Sequence, residues 1–189
     1  MDNSLVSQIK RGLKVTVNYF IALLIFGVFL MPLLSFVKDN ANTFVFCYSL
    51  VMFLVMFYLI YVEMRVMAFK EKRPQYNINP SPFKGLLYGF IGIIPLIVIE
   101  LVLIFVSFPE DLLTLKKRLY QGFAGPLYWF SSLIGNEPVH YVISFVLLVV
   151  IAFLGYYAGH KDFLLVTFVY DKLGIKRNKK TARREARKF

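Results

Sequence analysis

The sequence predicts an all-α membrane protein: four transmembrane helices in an antiparallel bundle, with an outer interfacial helix and a short inner-surface helix. Three observations carry that prediction. The 189-residue chain is 58% hydrophobic, whereas soluble domains hold about 45–50%. Its apolar residues fall into four blocks, 15–37, 44–62, 86–108 and 139–159, each close to the ~20 residues that cross a hydrocarbon core. The 22 Lys and Arg residues are also strongly segregated between the connections.

Block 15–37 has no small-residue cleavage site behind it and runs through a short polar turn, "KDNANT", into the second block. It therefore reads as a retained helix rather than a cleaved signal peptide, antiparallel to its successor. Lys10, Arg11 and Lys14 precede it; Arg65, Lys70, Lys72, Arg73 and Lys84 lie between the second and third blocks; ten more basic residues follow the fourth. Against these, Lys38, Lys116, Lys117 and Arg118 fall on the other side. The positive-inside rule then puts both termini in the cytoplasm of a cell-membrane protein, with the lipid bilayer as its first partner. The linker "EMRVMAFKEKRPQYNINPSPFKG" carries three prolines that end any helix protruding from the second block.

The third block contains the outstanding residue, Glu100, inside "IIPLIVIELVLIF". At about 100° per residue, Gly89, Gly92, Leu96, Glu100, Leu103 and Ser107 form one stripe, while the remaining circumference is Ile, Val, Phe and Leu. Small residues admit a neighbouring backbone and polar ones need partners that lipid lacks, so this stripe should face protein. Pro95 lies to one side and should kink the helix beside the glycines. The polar groups nearest in depth are Ser49 and Ser144, and desolvation should keep the acid protonated and hydrogen-bonded. Such a carboxyl suits proton relay, cation binding or helix association.

In the fourth block, His140, Tyr141, Ser144, Ala152, Gly155 and Gly159 share an arc, and Gly155 with Gly159 makes a small-xxx-small pair expected to pack on the third span. Residues 109–138 are neither a span nor a polar loop, and "LYWFSSLI" within them is too short to cross. Pro109, Glu110 and Asp111 should start a helix whose Leu112, Leu115, Leu119 and Phe123 oppose Lys117, Arg118 and Gln121, an interfacial pattern. A re-entrant segment is the alternative for this stretch. Residues 161–174 should lie as a short helix on the inner surface, capped by Asp162 and Gly174. The basic tail 175–189, through Lys176, Arg177, Lys179, Lys180, Arg183, Arg184, Arg187 and Lys188, is suited to an anionic inner leaflet. RNA or a ribosome is the weaker reading of that tail, because apart from Phe189 it has no aromatic ring to stack on a base.

The sequence shows no Ser/His/Asp set, phosphate-binding glycine loop or metal-ligand spacing, and a lone Cys47 forms no internal disulfide. Glu137 with His140, and His160 with Asp162, are too few for a metal site. No enzyme and no cofactor are expected. Two functions stay open. One is an accessory or scaffold subunit that associates with other membrane subunits or with itself through Glu100 and the glycine faces. The other is a small oligomeric transporter or channel in which Glu100 handles protons or a cation.

Overall fold

The computed structural model describes residues 4–36, 41–76, 78, 80–163 and 172. The predicted inner-surface helix at 161–174 and the basic tail lie almost wholly outside the described residues. Among the described residues, four helical segments are long and apolar enough to cross a membrane. Helix α1 covers Leu5–Phe36, α2 Ala41–Glu71 and α3 Lys84–Phe105. The fourth span is divided into α6, Pro138–Ser144, and α7, Val146–His160. Between α3 and α6 come α4, Leu113–Phe123, and α5, Tyr128–Ile134.

The first two helices run well beyond their apolar blocks. At 1.5 Å per residue the 32 residues of α1 extend about 48 Å, against ~30 Å for a hydrocarbon core. The excess lies at one end of the bundle, where α1 and α3 begin and α2 and α7 finish; it carries most of the described Lys and Arg residues and is called the basic end below. The extension of α2 has a cause in its sequence. Ser49, Met52, Met56, Ile60, Met64, Met67 and Glu71 repeat at helical spacing and all are buried, so the core-facing stripe continues past the apolar block and holds the helix together to Glu71.

The four long elements form a ring, α1 beside α2, α2 beside α7, α7 beside α3, and α3 beside α1. Neighbours α1 and α2 are antiparallel, as are α3 and α7, whereas α1/α3 and α2/α7 run in parallel. Glycine sets the closest approaches. A β-carbon on Gly92 would lie 2.6 Å from Val15 of α1, one on Gly89 2.8 Å from Val149 of α7, and one on Gly155 2.6 Å from the Tyr61 carbonyl of α2. Gly159 meets Arg65 and Ala68 in the same way. The pair Gly155 and Gly159 therefore packs on α2, not on the third span as expected from sequence; Val149, Ala152 and Tyr156 are the residues that meet α3, at Gly89 and Gly85. The reason is that α7 lies between two helices and spends its smallest face on the one that runs parallel to it.

Helix α3 passes through Pro95 without interruption. The fourth span does break, at Phe145, where i→i+3 hydrogen bonds replace the α pattern on both sides and the Ser144 hydroxyl donates to the Tyr141 carbonyl at 2.6 Å.

Candidate functional site

The segment between α3 and α6 positions both halves of the interior. Leu112, just before α4, and Leu113, Leu115 and Leu119 in its first two turns are exposed, as an interfacial helix would be. Its last turn is not. Tyr120 is buried, and the chain then turns through Ala124, Gly125, Pro126 and Leu127, all enclosed between α1 and α2. Gly125 is needed here, since a β-carbon would strike the Phe26 ring of α1. The Ser49 hydroxyl donates to the Gly125 carbonyl at 2.7 Å and accepts from the Trp129 backbone N–H at 3.0 Å. Tyr19 donates its hydroxyl to the Phe123 carbonyl, and its ring meets those of Phe123 and Phe145 edge-on. Ser49 is thus used in holding this hairpin rather than in reaching Glu100.

Glu100 itself is fully buried, in line with Gly89, Gly92 and Leu96 on the inward face of α3. Both of its carboxyl oxygens are enclosed and neither has a hydrogen-bond partner among the described residues. Tyr120 of α4 and Tyr141 of α6 are buried in the cluster that packs on the next turn of α3, at Leu103 and Ile104, and Tyr19 of α1 is buried in the core with Leu96. Ser144 bonds to its own helix instead. Ser107 lies beyond the end of α3 and is exposed, so the stripe loses its last polar member where the helix stops. An unpaired polar group in an apolar interior costs on the order of 1–3 kcal/mol or more. The fold retains one here nonetheless.

A second buried carboxyl, absent from the sequence-based candidates, lies at the basic end. Glu71 of α2 is fully enclosed. Its Oε1 accepts from Arg11 of α1 at 2.7 Å and from the Tyr88 hydroxyl of α3 at 2.6 Å; its Oε2 accepts from Tyr156 of α7 at 2.8 Å and faces Lys84 of α3 at 3.3 Å. All four sides of the ring converge on this one group. Charged hydrogen bonds of this kind are the strong class, and the arrangement locks the helices in register. The signal was present in the sequence as the Met-and-small stripe that continues to Glu71, but an acid next to Lys70 and Lys72 reads equally as solvated linker.

The two histidines have local tasks. Glu137 and His140 form a capping box at the start of α6. The His160 ring contacts the Pro80 carbonyl at 3.2 Å, while Asp162 pairs with Lys72 at 2.6 Å. Among the described residues no group of His, Cys, Asp and Glu is placed to hold a metal.

Comparison of the chain with protein-family models, with curated proteins and with solved structures gives no match.

Proposed function

We propose that this four-span protein is a non-enzymatic proton- or cation-handling bundle with Glu100 as its centre. The observation that carries the reading is the enclosed Glu100 carboxyl, neither of whose oxygens has a partner among the described residues, at a depth where intramembrane acids are rare and serve ion pathways by default. A helix-packing role would give the carboxyl a donor. A role in docking another subunit would leave it, or the glycine faces, open to that subunit. Instead, Gly89, Gly92, Gly155 and Gly159 are filled by helices of this same chain, which weakens association as the primary function. The basic end is assigned to the cytoplasm on the strength of the Lys and Arg distribution.

The test is reconstitution of the purified protein into liposomes holding a pH-sensitive dye. Acidification driven by a potential or a cation gradient, lost in Glu100→Gln, is the expected result. Equal flux in wild type and variant would overturn the proposal. Extraction in mild detergent adds the other arm: unrelated chains recovered in fixed ratio, with no flux, would restore the accessory-subunit reading.

A further inference from the structure

Glu100 sits at a seam between two apolar clusters. One turn toward the basic end on α3, Leu96 belongs to the main core. One turn the other way, Leu103 and Ile104 pack on a smaller cluster of Tyr120, Ala124 and Tyr141. The two sides of the seam differ in chemistry. Toward the basic end the core is nearly all hydrocarbon, with Leu96, Ile93, Leu148, Val149 and Met56 buried; the buried Thr16 hydroxyl there donates to the Gly92 carbonyl at 2.6 Å. Twelve residues of α3 separate Glu100 from Tyr88 of the Glu71 lock, about 18 Å at 1.5 Å per residue.

Toward the opposite end the fold offers a polar line. The buried Tyr141 hydroxyl donates to the Asn136 side-chain carbonyl and accepts from the Gln121 amide at 3.1 Å. Asn136 and Gln121 are both partly exposed. Asn136 holds φ at 60°, a state asparagine tolerates better than most residues. The α4–α5 hairpin gives this line its depth. Its tip at Gly125 rests on Phe26, ten residues before the end of α1 and so about 15 Å inside it.

Building on the reading of Glu100 as the functional centre, we propose that the bundle is a proton half-channel: in the conformation described, Glu100 exchanges protons with water at the end opposite the basic end, past Asn136, Tyr141 and Gln121, while the apolar core closes the way to the basic end, so that net flux requires a second conformation that opens it. The titratable side chains packed around this stretch of α3 are Tyr120 from α4 and Tyr141 from α6, in the cluster with Leu103 and Ile104, and Tyr19 from α1, in the core with Leu96; α7, also packed on α3, keeps Tyr156, Tyr157 and His160 at the basic end. In the step itself a hydronium ion from outside gives up one proton, an O–H bond forms on a carboxylate oxygen of Glu100, and neutral water leaves by the same route. Charge then balances, because the carboxylate and the hydronium neutralise each other.

The experiment is infrared spectroscopy of the purified full-length protein after mixing with D2O. The Glu100 carboxyl band is identified as the one lost in Glu100→Gln. Tyr141→Phe and Asn136→Gly should each slow hydrogen–deuterium exchange of that band several-fold, whereas Tyr156→Phe should leave it as in wild type. Asn136 lies near the surface, so its variant serves if Tyr141→Phe does not fold. Unchanged exchange in the Asn136 and Tyr141 variants, equal slowing by Tyr156→Phe, or no protonated Glu100 band at any pH at which the protein stays folded would overturn the half-channel. Flux in liposomes is read separately: flux with exchange indifferent to Tyr141 and Asn136 sinks the route alone, while a Glu100-independent flux sinks the underlying function.

Discussion

Glu71 and Glu100 are both fully enclosed in the same ring of helices, yet Glu71 accepts from two phenols and lies against Arg11 and Lys84, while the oxygens of Glu100 meet no donor among the described residues. The difference follows from depth. At the basic end the helices extend beyond the apolar blocks, so Lys and Arg can enter the structure there with little membrane penalty. At the level of Glu100 no span carries a cation. One carboxyl is therefore cross-linked and the other is isolated. Burial alone says little about an acid in a bundle; the partners available at its depth decide whether it is cross-linked.

That contrast can be broken in order of expected effect. Glu71→Gln leaves Arg11 and Lys84 without their shared counter-charge, and removing one partner of a buried pair costs about 3–5 kcal/mol. Thermal unfolding in a fixed detergent should show a large drop in midpoint. Glu100→Leu should act with the opposite sign, raising the midpoint by removing a desolvated group worth roughly 1–3 kcal/mol while abolishing any flux. A destabilised Glu100→Leu would mean that the carboxyl is structurally bonded after all. Tyr156→Phe deletes a single hydrogen bond to Glu71, about 1.5–3 kcal/mol for a bond to a charged group, and should lower the midpoint less than Glu71→Gln without touching flux. Ser49→Ala strips two bonds from the hairpin tip, and limited proteolysis at 113–134 should quicken if that hydroxyl holds the tip in place. Smallest of all, Lys14→Ala removes a half-exposed pair with Glu63 and should change stability by no more than about 0.5 kcal/mol.

The hairpin of α4 and α5 shows where reading from sequence runs short. The Leu face of α4 is amphipathic and its first turns are exposed, in keeping with that pattern. "GFAGPL" carries no polar residue and its small residues suit either a surface turn or close packing. Which of the two occurs depends on whether α1 and α2 leave room between them, and that space is made by Phe26, Ser49 and Tyr48 from two other helices. Gly155 and Gly159 are similar: their small-xxx-small spacing announces a helix contact, but nothing in the spacing names α2 as the neighbour.

Composition, block length and the stripe through Gly89, Gly92, Leu96 and Glu100 were sufficient for the four helices and for the inward face of the third, because these are properties of one helix in lipid and need no knowledge of its neighbours. The isolation of Glu100, the capture of Glu71 by three other helices and the insertion of the hairpin tip depend on groups up to 104 positions apart in the chain, as Tyr19 and Phe123 are. Such meetings arise from packing in three dimensions, where the same residue types can be brought together or kept apart.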